Sequence, residues 1–293
     1  MLDKVAIVTG ANKGIGFSIV KELCRRGVKT VYLTARDVKR GTDAVNSLKN
    51  EGFNPLFHQL EVTDKKSVQA FADHIKQNHK GIDILINNAA VISEFNKITY
   101  EDAHNVINVN FNSILIIEEY LFPLLNDNAR VINVSSDCGH LSNLKNAFWI
   151  EKLISEDATL DDVKGFTNWF LDNVKNGTFN ADDFTITYLR PYVVSKIALS
   201  AYTRIQQRNI GRGICINSIH PGFVITSMTK ETGMMTAAEA SEAPVYLALD
   251  ADEKIKGKYI WFDKTEKDWT DINFKYTYDD PNVVNDFFKK MSD

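Results

Sequence analysis

Tyr192 and Lys196 stand four residues apart in Tyr192-Val-Val-Ser-Lys196, and none of the other nine among the ten tyrosines has a lysine at that spacing. On a helix the two side chains share a face. An ammonium beside a phenol favours the phenolate, which suits the pair to proton exchange with a carbonyl oxygen or an alcohol near neutral pH. Ordinary surface helices carry the same pairing, so its neighbours matter. Ser136 closes the apolar run Arg130-Val-Ile-Asn-Val-Ser135 and offers a hydroxyl to a substrate carbonyl, and Asn110 stands in Asn108-Val-Asn110-Phe. A different chemistry is written in Thr9-Gly10-Ala11-Asn12-Lys13-Gly14-Ile15-Gly16. Glycines there allow a tight turn and close approach of backbone to a pyrophosphate, which the free N–H groups of a following helix stabilise.

Which dinucleotide this loop takes is read from Thr34-Ala35-Arg36, where no carboxylate is available for a free ribose 2′-hydroxyl. Arg36 suits a 2′-phosphate instead, and Lys13 adds a second cation pointing toward the same ribose, so NADP(H) is the expected cofactor. Asp37 beside Arg36 keeps open a plainer reading of both cations as solvated surface charges.

The elements that must hold these groups follow from periodicity. Lys4–Thr9 reads as a buried strand and Phe17–Arg26 as a helix stopped by Gly27. The alternation continues with a strand over 30–34, a helix over 38–50, a strand over 55–60, a helix over 67–79 and a strand over 83–87. A helix around 101–125, a strand over 130–135, a helix over 193–210 and a strand over 214–218 complete it. Apolar strands alternating with amphipathic helices predict an α/β fold, a Rossmann-type doubly wound parallel sheet of at least six strands in a single domain spanning 1–293. In such a sheet ligands lie beyond the carboxyl ends of the strands, where the glycine loop, Asn87-Asn88-Ala89-Ala90 and Ser135-Ser136 all fall. Two stretches break the rhythm. Leu160, Val163, Phe166, Phe170 and Val174 mark a helical insert within about 137–190, and the extension over about 264–293 offers only one possible amphipathic helix, 281–291.

At 44% apolar residues the chain can bury a substantial core, and its net charge of −4 shows no basic face for nucleic acid or an anionic membrane. The apolar run before Thr9 is too short for a signal peptide and no segment reaches spanning length, so a cytoplasmic protein acting on small molecules is expected. Cys24, Cys138 and Cys215 are odd in number and unpaired by spacing, which predicts neither disulfide nor metal site.

The glycine loop, Asn-Asn-Ala at 87–89, Asn-Val-Ser-Ser at 133–136, Tyr192-x-x-x-Lys196 and Pro221-Gly222-Phe-Val-Ile-Thr226 occur in the order seen in the short-chain dehydrogenase/reductases, which the chain resembles over roughly 4–263. Leu33-Thr-Ala-Arg-Asp37, Phe57-His-Gln-Leu60, the insert before the tyrosine and Ala243-Pro-Val-Tyr-Leu-Ala-Leu249 make it similar to the monomeric NADPH-dependent carbonyl reductases. That resemblance implies catalytic Asn110, Ser136, Tyr192 and Lys196. Tyr192 would protonate the carbonyl that Ser136 orients, Lys196 would hold the nicotinamide ribose, and Asn110 would keep a water in a proton relay. It implies cofactor contacts from Gly10, Asn12, Lys13, Gly14, Ile15, Gly16 and Arg36, from Glu61 and Val62 near the adenine, and from Asn87 near the adenosine ribose. Tyr192, Lys196, Pro221 and Gly222 join them, with Val224 and Thr226 near the carboxamide. Ala90 and Glu61 depart from the usual glycine and aspartate, and His220 stands where well-known carbonyl reductases have cysteine.

The expected activity is reduction of aldehydes, ketones or quinones to alcohols by a monomer. A selective dehydrogenase for a steroid-, prostanoid- or terpenoid-like alcohol is the alternative enzyme, because the variable loops near 137–148 and 223–235 are apolar to mixed. A non-catalytic NADPH-binding protein is the alternative outside enzymes.

Overall fold

The computed structural model describes residues 2–95, 97–276 and 280–292; the ends of the 1–293 span and part of the extension, 277–279, lie outside the described residues. Its centre is β1 (Leu2–Val8), whose Ala6, Ile7 and Val8 are fully buried because both faces of the strand are covered. Ala6 and Val8 pack toward α1 (Gly14–Arg25) and α2 (Val38–Asn50), while Ile7 faces the other way, toward α3 (Lys65–Asn78). That alternation on one strand is what a parallel sheet between two helical layers requires.

β1 lies between β2 (Val28–Ala35) and β4 (Ile82–Asn87), and the sheet runs β3 (Leu56–Gln59), β2, β1, β4, β5 (Leu125–Val134), β6 (Cys215–His220), β7 (Tyr259–Trp261) and β8 (Glu266–Lys267). All neighbours are parallel except β7 and β8. Strand order reverses between β1 and β4, so a crevice opens beyond their carboxyl ends. The fold is the expected doubly wound sheet, enlarged by two short strands at one edge.

Where one helix is expected over 101–125, the chain forms α4 (Tyr100–Ile107) and α5 (Ser113–Leu121), joined by a π-helical turn over Asn108–Asn112. Such widened turns sit at functional sites because they re-aim a side chain within an otherwise continuous helix; here the side chain is Asn110. The insert forms α6 (Ala147–Ile154) and α7 (Leu160–Asn176). α7 starts in a reciprocal cap between Thr159 and Asp162 and stops at Gly177, φ 69°. Its Val163, Phe166 and Phe170 are buried, and the helix packs on α4 and on α8 (Arg190–Asn209).

The extension has more structure than its sequence suggests. It follows α9 (Ala237–Leu249); within it Trp269 is buried, its indole Nε1 donating to the Gly139 carbonyl at 2.7 Å, and α10 (Pro281–Ser292) comes after. No described helix is long and apolar enough to cross a membrane.

Candidate active site

The glycine loop is clamped to the loop after β4. Asn88 Nδ2 donates to the carbonyls of Thr9 at 2.9 Å and Gly10 at 3.2 Å, and Thr9 Oγ1 accepts from the backbone N–H groups of Asn88 and Ala89, each at 3.0 Å. A Cβ on Gly10, φ 61°, would lie 2.7 Å from Ala89 Cα, and one on Gly16 would lie 2.5 Å from Asn88 Nδ2. These two positions therefore accept only glycine. Gly14 has φ 59°, and the first turn of α1 after it has no side-chain cap, so its backbone N–H groups face the crevice.

A cleft of about 550 Å³ runs from this loop past Arg36, Arg40, Glu61 and Val62 at one end to Ser136, Tyr192 and Lys196 at the other. Gly10, Asn12, Lys13, Gly14, Ile15, Pro221, Gly222, Val224 and Thr226 line it between. The glycine cradle, the uncapped helix start and the cations Arg36 and Arg40 fit a dinucleotide carrying a 2′-phosphate. Lys13, in the cleft lining, donates from Nζ to Ser227 Oγ across the cleft at 2.7 Å.

Three expected site residues stand outside the cleft lining. Gly16 packs behind the loop. Asn87 ends β4 with its side chain inside the sheet, Nδ2 donating to Asn133 Oδ1 at 2.8 Å, while Asn88 and Ala89, past the end of the strand, line the crevice. Asn110 is buried and bonds Val91 twice, accepting from its N–H and donating to its carbonyl, both at 2.9 Å. It also donates to Ser195 Oγ at 3.0 Å, and Ser195 donates in turn to the Tyr192 carbonyl at 2.7 Å. Asn110 thus ties the cleft wall at Val91 to the first turn of α8.

α8 begins under strain. Leu189 takes a left-handed conformation, φ 53°, that branched side chains avoid, and buries its own side chain at the cleft rim. Pro191 follows in the first turn, setting the direction in which Tyr192 leaves. Lys196 is buried below the tyrosine, Nζ 5.5 Å from its ring centroid and 2.7 Å from the Val134 carbonyl to which it donates. Burial lowers the Lys196 ammonium to a pKa of about 7. It also pushes the partly buried Tyr192 phenol above its usual range, an effect a hydrogen bond with Ser136 only partly offsets. The phenol thus stands above its usual range where the Lys196 spacing predicts it lowered, because burial is the largest influence on it.

Ser136 Oγ donates to Asp137 Oδ1 at 2.7 Å, so its lone pairs face the cleft and Tyr192. His220, behind it, is buried and accepts the Asp137 N–H at Nδ1, 2.8 Å away, a structural bond. Sequence reasoning missed Arg40, Asp137, Cys138 and Tyr188, all in the cleft wall. Arg40 could have been found one helical turn after Arg36, with Asp37 as the cap of α2 between them. Burial holds the Cys138 thiol well above its ordinary pKa, which leaves it a packing group.

Residues 4–148 match the family model of short chain dehydrogenases. Carbonyl reductase [NADPH] 1 of Sus scrofa is 37% identical over 254 residues, 84% of this chain and 87% of the relative. Salutaridine reductase of Papaver somniferum superposes with a TM-score of 0.81 at 34% identity, over 87% of this chain and 99% of its own. Menthone neomenthol reductase of Mentha piperita does so at 0.77 and 30% identity, over 89% and 99%.

Proposed function

Because this chain belongs to the short chain dehydrogenase family, we propose that it is an NADPH-dependent reductase that converts carbonyl compounds to alcohols, with Tyr192 as the acid. One observation carries the reading: a single cleft joins the glycine cradle and its two cations to the Tyr192, Ser136 and Lys196 cluster. NADPH bound there would supply hydride to the carbonyl carbon.

The chain's own residues supply the rest. Tyr192 keeps its proton, since burial holds the phenol in its neutral form, and gives it to the oxygen as negative charge develops. Ser136, fixed by Asp137, sets the position of that oxygen beside the phenol. Lys196 stands behind both, where it would hold the nicotinamide ribose, its charge adjustable near neutral pH. Arg36 and Arg40 favour the phosphorylated cofactor over NADH. The insert supports a monomer, because α7 lies over the α4 and α8 surfaces.

A narrower activity on a bulky ring ketone has a specific observation in its favour: Tyr188, Phe223, Phe287 and Phe288 make much of the cleft wall aromatic. Loss of NADPH absorbance, measured against NADH, with quinones, aromatic aldehydes, cyclic terpenoid ketones and ketosteroids tests both readings. Oxidation of NADPH with several classes supports the broad reductase, and oxidation with one ring ketone alone supports the narrow one. Silence across the panel in a protein that binds NADPH overturns both.

A further inference from the structure

α10 carries its apolar residues at Val283, Val284, Phe287, Phe288 and Met291, one stripe of a twelve-residue helix. A helix this short is marginal alone in water, so its persistence depends on what the stripe touches. The stripe touches the mouth of the cleft. Val284, Phe287 and Phe288 line the same cavity as Tyr192, and Phe287 is only 7% exposed. Its ring meets Phe95, from the loop after β4, at 5.9 Å and Phe223, from the loop after β6, at 5.2 Å. Phe288 meets Tyr188, just before α8, at 4.7 Å and Phe95 at 5.6 Å. Lys230 Nζ donates to the Lys290 carbonyl, fastening the far end of α10 to the loop after β6.

We propose that α10 is the substrate-selecting roof of the cleft, and that Phe287 and Phe288 select an apolar ring ketone by stacking against its ring system. The inference rests on the reductase reading for its chemistry and goes beyond it in assigning the selection to α10. Broad apolar aromatic faces favour a large apolar ring system over a small aldehyde by the greater area removed from water.

Two measurements on the full-length protein test this. The first is the ratio of kcat/KM for a ketosteroid to that for 4-nitrobenzaldehyde, in wild type, Phe287→Ala and Phe288→Ala. The second is calorimetric binding of the ketosteroid to the NADP+-saturated protein, which needs no turnover. Both alanine variants should lower the ratio and weaken the ketosteroid by about tenfold, in the range set by one mis-sized apolar contact. Phe288→Trp, which keeps an aromatic face, should retain binding within about threefold, a pattern that mere unfolding of α10 would not give. A ratio and an affinity unmoved by either alanine, or no ketosteroid binding in wild type, would overturn the roof. Binding that depends on Phe287 and Phe288 without turnover of either carbonyl would keep the roof and overturn the reductase reading.

Discussion

Removing the Asn110 side chain should loosen the active site through its scaffold. In Asn110→Ala the Val91 N–H and C=O and the Ser195 hydroxyl lose their partner, three hydrogen bonds of 2.9, 2.9 and 3.0 Å made by a residue 1% exposed. An unsatisfied buried backbone group costs about 1–3 kcal/mol. Val91 is only partly buried, so water recovers part of that, and we expect a net loss of about 2–3 kcal/mol. For a domain this large that corresponds to a Tm lower by about 3–5 °C. Urea unfolding gives the free energy, and kcat with saturating NADPH gives the functional effect. Because Ser195 passes the restraint to the Tyr192 carbonyl, kcat should fall even where the variant is fully folded. Asn110→Asp keeps the acceptor for Val91 N–H but loses both donors, so it should not rescue. A loss below about 0.5 kcal/mol, the size of an ordinary surface change, would refute the bridging role.

Arg36→Asp puts a carboxylate where a 2′-phosphate is expected and should move the NADPH/NADH ratio of kcat/KM toward NADH by about a hundredfold, two decades or roughly 2.7 kcal/mol. An unchanged ratio would mean that Arg36 makes no contact with the phosphate. The buried Lys196 makes a pH prediction whose sign follows from its lowered pKa, about 7 in the folded chain against 10.5 for the free group. Between those values the unfolded chain binds more protons, so this lysine makes stability rise with pH across that window. Lys196→Met should lack the rise, and the stability difference, wild type minus variant, should grow by up to about 1.4 kcal/mol per pH unit from pH 7 upward in cofactor-free protein. A difference that stays flat with pH would show the amine to be solvated.

How much of this is legible in the sequence depends on how local each signal is. The glycine loop is legible because Gly10 and Gly16 answer to backbone contacts within one strand–turn–helix unit and its neighbour at Ala89 and Asn88. α7 is legible because a capping pair, a helical apolar stripe and a terminal glycine all lie within the stretch 159–177. The inward turn of the Asn87 side chain is not, since its partner Asn133 lies on another strand. Nor is the state of Tyr192 legible from its distance to Lys196 along the chain: depth of burial sets it. The extension shows least in sequence because its partners, Gly139, Tyr188 and Phe223, come from three separate loops.

The central claim is that Tyr192 delivers the proton in an NADPH-dependent carbonyl reduction. Tyr192→Phe removes one hydroxyl and leaves the ring over Lys196, so its most direct test pairs the NADPH oxidation rate on a turned-over carbonyl with NADPH affinity in the same preparation. We predict a rate lower by at least about a hundredfold, the usual contribution of a placed acid, with NADPH affinity within about threefold of wild type. A variant that binds NADPH and still turns over within about tenfold of wild type would contradict the assignment and move the acid to another group in the cleft.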